Sequence, residues 1–379
     1  MNDCRIINAL IPGDRKIRQI VIRDRQITQI AEHLVADDLP TLDLAGDWLS
    51  LGGVDLQING ALGLAFPDLH MGDLERLRQI CDFLWAQGVD KFLPTLVTTS
   101  IENIHRALAV LAEYMAHQCD GTAQVLGVHL EGPFLNPQKR GAHPAEYLLP
   151  LTIDRVVTVL GNYAGIVKAI TLAPELDPNS IVIPYLKSLD IIISLGHSQV
   201  NFAQAEQAFN SGASMVTHAF NAMPGLHHRE PGLLGAALTS PHVRCGFIAD
   251  GQHVHPAMLK VLLRSGNYGE GLFLVSDALS PLGLPDGKYP WDRRQIEVID
   301  GTARLPDGTL AGTTRSLLVG VQNLVEWEIC DVSDAIYLAT TSPRQAIGLS
   351  DNYVGQTANL LRWHVDRHQL NYSRIVNSK

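Results

Sequence analysis

A chain of 379 residues, 46% of them hydrophobic, has ample material for a large folded core. Its formal net charge of −10 argues against a general nucleic-acid or anionic-membrane binder, since both need a basic excess; it does not argue against a small anionic substrate in a locally basic pocket. The five cysteines (Cys4, Cys81, Cys119, Cys245 and Cys330) are scattered without a C-x-x-C pair, so free thiols in a reducing compartment are expected. No basic-then-apolar leader and no run of about 18 apolar residues is visible, so the expectation is a cytoplasmic protein with neither a membrane nor a nucleic-acid partner.

The first fifty residues read as short strands, with a hairpin expected over Ile17 to Ile30 around an Arg-Asp-Arg turn. After Trp48 the pattern changes. Apolar runs ending in a polar residue alternate with longer amphipathic stretches: Leu49 to Gln57, Lys91 to Thr95, Ala123 to Glu131, Ile166 to Glu175, Ile191 to His197, Ser214 to His218, Val243 to Asp250, and Leu272 to Asp277. Continuous apolar character, as in IIISLGH and LFLVSDA, is what a strand buried on both faces requires. Helices are expected over Asp73 to Gln87, Ile101 to His117 and Asn201 to Ser211, the last with an Asn N-cap and Gly212 as its stop. Eight β-then-α units predict a (β/α)8 TIM-like barrel over 49–294. Strand character returns over Gln295 to Leu305, helices follow at Arg315 to Glu328 and Ser333 to Ile347, and Ala358 to Val365 and Leu370 to Val376 read as terminal strands. Residues 1–48 with part of 295–379 are therefore expected to form a small β-sandwich domain, with the 315–347 helices packing on the barrel.

Nearly every predicted barrel strand ends in a residue capable of chemistry: Gln57 with Asn59, Thr95, Glu131, Glu175, His197, His218, Asp250 with His253, and Asp277. Active sites of this fold sit at the carboxyl ends of the strands, so these residues converge although distant in sequence. A lone His is more often structural, and His105 and His117 on a presumed outer helix keep that reading. His197 and His218 each interrupt an apolar strand at its carboxyl end, and Glu131 in HLEGPF would be costly to bury without a cation or hydrogen-bond partners. Two imidazoles and a carboxylate supply the three protein ligands of a catalytic metal site with water in the remaining place. Asp277 in LVSDAL then becomes the candidate general base and, for the leaving amine, general acid. His143, in KRGAHP beyond Glu131, is a candidate substrate contact. Arg229, in NAMPGLHHREPG, suits a phosphate by charge-assisted bonds.

At these residues the sequence strongly resembles the N-acetylglucosamine-6-phosphate deacetylases of the amidohydrolase superfamily. The stretches VDLQING, HLEGPFLNPQKRGAHP, SLGHSQ, THAFNAMPGLHHREPGLLGA, FIADGQHV, LVSDA and LAGTTRSLLVGVQNLV run in family order from Val54 to Val325. The resemblance implies Glu131, His197 and His218 as ligands of one divalent metal, with Asp277 as acid/base residue and His143 polarising the acetamide carbonyl. It implies that Ala142, Asn221, Ala222, Arg229, His253 and the loop Leu310, Ala311 and Gly312 contact an amino-sugar phosphate. It also implies a homodimer or higher oligomer in which Arg229 reaches the neighbouring site. Where many amidohydrolases carry His-x-His, this chain has Gln57-Ile58-Asn59; amides are poor metal ligands, so a mononuclear site is expected, with zinc, iron or manganese suiting His and carboxylate donors alike. Ser276 stands where relatives have Thr.

Four steps follow: polarisation of the carbonyl by metal and His143, removal of a water proton by Asp277, attack, and collapse as Asp277 protonates the amine. The alternatives are an N-acetylgalactosamine-6-phosphate deacetylase, a cyclic-amide hydrolase or dipeptidase, which would need a bridging lysine or His-x-His, and a catalytically inactive barrel serving as a scaffold.

Overall fold

The structure is a computed structural model that describes residues 3–35, 38–266, 270–366 and 369–375. Parallel strands Gly53–Ile58, Val89–Val97, Val128–Glu131, Val167–Leu172, Ile192–Leu195, Met215–Val216, Arg244–Phe247 and Leu272–Leu274 pair in sequence order around a barrel. The last and first staves are joined at their carboxyl ends, where Asp277 N donates to Gln57 O and Asn59 N to Ala278 O, both at 2.8 Å. Their runs are continuously apolar because both faces are covered. Val54, Leu56, Leu93, Ala169 and Phe273 pack in one buried cluster, while Phe92, Val128, Ile170 and Ile193 join the helices in another.

The helices lie where periodicity placed them. Leu74–Ala86 buries Leu77, Ile80, Cys81 and Leu84, spaced i, i+3, i+4 and i+7, each large side chain contributing about 1.5–3 kcal/mol before entropic costs. Ile101–Ala116 starts at Ser100, whose side chain accepts from Asn103 N. Phe202–Ser211 opens on a reciprocal capping box between Asn201 and Gln204 and stops at Gly212, with φ of 124°.

Three of the differences from the sequence expectation have a clear structural reason. The run Leu49 to Gln57 is divided between two sheets, Trp48–Leu51 in one and Gly53–Ile58 in the barrel. The chain crosses between them at Gly52, whose N–H donates to Asp90 Oδ2 at 3.0 Å; a Cβ there would lie 2.0 Å from Asp90 Oδ1. The helix expected over Ser333 to Ile347 is two, Val332–Thr340 and Ser342–Ala346, because Pro343 starts the second and cannot continue the first. The segment 295–305, expected with the chain ends, instead belongs to a separate antiparallel sheet of Gly287–Trp291, Arg294–Ile299, Thr302–Arg304 and Leu310–Thr313. That sheet packs Trp291, Ile296 and Val298 onto Leu279 and Ala142 at the barrel mouth.

Both chain ends build a seven-stranded sheet, from Cys4–Ile11, Asp14–Arg23, Gln26–Ala31, Thr41–Asp43, Trp48–Leu51, Leu360–Asp366 and Gln369–Arg374. The expected hairpin turns at Asp24 and Arg25, with φ of 49° and 64°. Of the terminal strand read over Leu370 to Val376, Val376 lies outside the described residues. The 317–346 helices pack Leu317, Leu318, Val321, Ile336 and Leu338 into the main barrel core.

Candidate active site

Glu131 closes the strand Val128–Glu131, while His197, His218 and Asp277 each lie two or three residues past the end of a stave. All four are buried. His197, His218 and Asp277 have φ of 49°, 29° and 51°, conformations that residues with a Cβ rarely adopt. Left-handed backbone at three of the eight strand tips costs energy and is typical of residues held for function.

The side chains converge. Glu131 Oε1 lies 3.1 Å from His197 Nε2 and 3.1 Å from His218 Nε2, and the two Nε2 atoms are 3.0 Å apart. His197 Nδ1 is 2.8 Å from Lys139 O, and a carbonyl can only accept, so Nδ1 carries the proton and the neutral ring turns an Nε2 lone pair inward. Lone pairs facing one another at these separations fit a divalent cation, and a carbonyl holding the outer imidazole nitrogen is the usual support of a ligating His. His143 approaches the same carboxylate at 3.8 Å through Nε2, so Glu131, His143 and His197 also converge as potential donors.

Burial opposes ionisation of Glu131, yet the imidazoles of His197, His218 and His143 packed around it hold its carboxyl well below the usual range. Burial likewise disfavours a charged His218, but the Glu131 carboxylate beside it outweighs this and the net shift is upward. His143 is pushed down to about 3 by burial and then by His197, so its imidazole stays neutral. Asp277 is pushed up to about 6, first by burial and then by the Glu131 charge.

Asn59 Nδ2 and Gln57 Nε2 both donate to Asp277 Oδ1, at 2.8 and 3.2 Å, which fixes the plane of the carboxylate. Thr98 holds the Nδ1 edge of His143, its N–H at 3.4 Å and its Oγ1 at 2.9 Å. Asp250 accepts from the backbone N–H groups of Gln252 and His253 and holds His253 Nδ1 at 2.7 Å, leaving the Nε2 edge unengaged. These groups face a cavity of about 370 Å³.

Of the residues that the resemblance assigns to the site, Glu131, Ala142, His143, His197, His218, Asn221, Ala222, His253, Asp277, Leu310 and Ala311 line this cavity. Two do not. Gly312 is buried behind the lining, where a Cβ would meet Leu279 at 2.7 Å. Arg229 is exposed on the loop after His218 with NH1 3.1 Å from His228 Nε2, outside the cavity of its own chain. The sequence reading missed Trp291 and Leu279, which line the mouth. Arg294 stacks 4.7 Å over Trp291 and donates to Ala142 O at 2.8 Å, tying the overlying sheet to the loop of His143. It also missed the work of Glu175, whose carboxylate accepts from Asn136 Nδ2, Ser198 Oγ and Gln199 N at 2.8, 2.7 and 2.6 Å and so fixes the loop of His197. A carboxylate at a strand end was the visible signal; its partners were not.

No protein-family model matches the chain. It is 37% identical over 359 residues to the N-acetylglucosamine-6-phosphate deacetylase of Bos taurus, covering 92% of this chain and 86% of that protein. It is 35% identical over 296 residues to the N-acetylgalactosamine-6-phosphate deacetylase of Escherichia coli O157:H7, covering 78% and 77%. Among solved structures, N-acetylglucosamine-6-phosphate deacetylase from Pasteurella multocida superposes with a TM-score of 0.85 at 30% identity, covering 98% of each chain. A Mycobacterium smegmatis enzyme in complex with N-acetyl-D-glucosamine-6-phosphate gives 0.86 at 25% identity, covering 97% and 96%. With this identity over most of both chains and the fold shared end to end, the chain belongs to the N-acetylglucosamine-6-phosphate deacetylase family of the amidohydrolase superfamily.

Proposed function

We propose that the chain hydrolyses N-acetyl-D-glucosamine 6-phosphate to D-glucosamine 6-phosphate and acetate. The observation that carries this reading is the facing of Asp277 and His143 into one cavity with the Glu131–His197–His218 triangle, in a chain of this family.

Glu131, His197 and His218 are the residues that would hold one divalent cation, which supplies Lewis acidity toward a carbonyl oxygen and toward water; zinc is our reading, and iron or manganese suit the same donors. His143 stays with the substrate. Its Nε2 is 3.8 Å from Glu131 Oε1 against 3.1 Å for the other two imidazoles, and with Nδ1 accepting the Thr98 N–H, Nε2–H donates to the acetamide oxygen. Gln57 and Asn59 stand in place of imidazoles and amides are poor metal ligands, which supports a mononuclear site; their N–H groups are turned to Asp277.

Asp277 takes a proton from the attacking water while its Oδ1 is held by the two amides. An amine leaves poorly unless protonated, so the same carboxyl passes that proton to the nitrogen as the C–N bond breaks. One water is consumed, and acetate and a free amine result. Ala142, Asn221, Ala222, His253 and the Leu310, Ala311 and Gly312 loop position the sugar phosphate. Arg229, turned away from its own cavity, serves the phosphate of a neighbouring copy, so the active form is a homodimer or a higher homo-oligomer. No helix among the described residues is long and apolar enough to cross a membrane, and the free thiols support a cytoplasmic site of action.

Acetate release from the gluco and galacto 6-phosphates, with and without a chelator, tests the reading. The galacto arm is included because the E. coli O157:H7 relative is a galactosamine-6-phosphate deacetylase. Chelator-sensitive release with preference for the gluco substrate is expected. Equal rates on the unphosphorylated sugar, or activity indifferent to metal removal, would sink it.

A further inference from the structure

A second cavity, of about 180 Å³, lies at the opposite ends of the barrel strands from the catalytic one, where Val89–Val97 begins beside the terminal sheet. Its walls bring Arg25, Lys91 and Arg344 together with Asp90 and Asp120.

The charges do not balance. Asp90 accepts from Arg374 NH1 at 2.8 Å and from Gly52 N at 3.0 Å, so its carboxylate is already engaged, and Arg344 stands 3.8 Å away. Arg374 stacks 3.5 Å over Trp85 behind the wall. Counting Arg374, four cations meet two carboxylates, a surplus of two positive charges. Arg344 is 2% exposed; its NH2 donates to Gly52 O, and its Nε has no partner among the described residues, nor has Arg374 NH2. Lys91 is half-buried, and its ammonium is pushed down by burial and by Arg344. A buried guanidinium with an unmet N–H beside other cations is a group that lacks an acceptor.

We infer that this cavity is an anion site taking phosphate or a phosphate monoester. A dianion matches the surplus of two charges. Cations contributed to one cavity by several separate segments suit a tetrahedral oxyanion better than a planar carboxylate, which one arginine fork would satisfy. The site joins the terminal sheet to the barrel through Gly52, so its occupant binds both parts of the fold. None of its residues belongs to the deacetylation site.

The test is calorimetric titration of the full-length protein with inorganic phosphate, beside Lys91→Met and Arg25→Ala. Each variant is expected to lose one phosphate per chain or to bind it at least ~10-fold more weakly, the loss of one charged hydrogen-bond partner. Deacetylation kcat/KM should stay within about twofold, and Lys91→Arg should retain binding, which separates lost charge from lost fold. Titration with glycerol phosphate identifies the source: tighter binding than inorganic phosphate assigns a monoester, weaker binding assigns the free ion. Unchanged stoichiometry and affinity in both variants overturns the site, and acetate binding as tightly as phosphate overturns the assignment of its ligand.

Discussion

Replacing Asp277 by Asn tests the proton carrier with almost no change of shape. Two donors, Asn59 Nδ2 at 2.8 Å and Gln57 Nε2 at 3.2 Å, point at Oδ1. In Asp277→Asn the amide oxygen must take that place, because an NH2 group there would face two other donors. The new NH2 is thereby turned toward the position of Oδ2, where it can donate but not accept a proton. Loss of one positioned acid–base group typically costs 10²–10⁴ in rate, about 3–5 kcal/mol of transition-state stabilisation. The upper end is expected here, since in the proposed mechanism the same carboxyl both takes the proton from water and delivers it to nitrogen. Substrate contacts are untouched, so KM should change little.

Stability should move the other way. Burial and the Glu131 charge raise Asp277 to about 6, so its ionised form opposes folding above that pH, by ~3 kcal/mol at neutrality in the metal-free chain. The neutral amide avoids this, and the metal-free variant should melt no lower than the metal-free parent. The assays are steady-state acetate release and thermal melts of chelated protein. A variant retaining more than about a tenth of the parent kcat would refute the assignment of the proton to Asp277. A variant that melts well below the parent would refute the hydrogen-bond argument for its orientation.

Glu175→Ala removes three hydrogen bonds around the loop of His197 and should weaken metal affinity ~10–100-fold, the usual cost of losing a ligand's supporting partner. Unchanged affinity by chelator competition would make Glu175 merely structural. With Asp277 in its proposed role as proton carrier, kcat should fall as pH drops through its pKa. A bound cation favours the ionised form, so the acid limb belongs at or below about 6, and a limb centred above 7 would contradict this. Chelation should abolish turnover while far-UV circular dichroism stays constant, since the barrel core packs independently of the triangle; loss of helix signal would show otherwise. Burial pushes the Cys81 and Cys245 thiols up to about 12, so alkylation at neutral pH should label exposed Cys119 well before either and leave activity intact.

The barrel was legible because its signal is repeated. Each run such as IIISLGH is apolar on both faces and ends at a stave tip, and the alternation with amphipathic helices leaves one arrangement that covers both faces. Local chemistry was legible for the same reason at Asn201, whose capping partner Gln204 stands three residues on. What escaped depended on distant partners. The run Leu49 to Gln57 gives no hint of its division at Gly52, because the reason is Asp90, thirty-eight residues further along. The strands of 287–313 alternate like any hairpin, and nothing local says that they cover the mouth instead of joining the terminal sheet.

The site shows the same division between identity and conformation. Apolar strands interrupted by Glu131, His197, His218 and Asp277 announce chemistry, because burying such groups is costly without partners. The left-handed backbone at His197, His218 and Asp277 has no such announcement, since glycine is the usual marker of positive φ and none of the three is glycine. A stave that ran on regularly would alternate its side chains between the barrel interior and the surrounding helices. A positive φ at the residue itself, just past the strand, lets its side chain turn into the mouth, where it meets groups from other staves. The inward turn then has to be held, and the holders come from elsewhere in the chain: Lys139 O for His197, and Asn59 and Gln57 for Asp277. Gln57 and Asn59, at the end of the first stave, serve as amide donors to Asp277, the proposed proton carrier. Changing both to His would therefore remove the two bonds that orient Asp277 as well as adding two ligands. Such a variant should lose turnover even if it gains a second cation, and one that binds two cations with undiminished kcat would show that Asp277 does not depend on these amides.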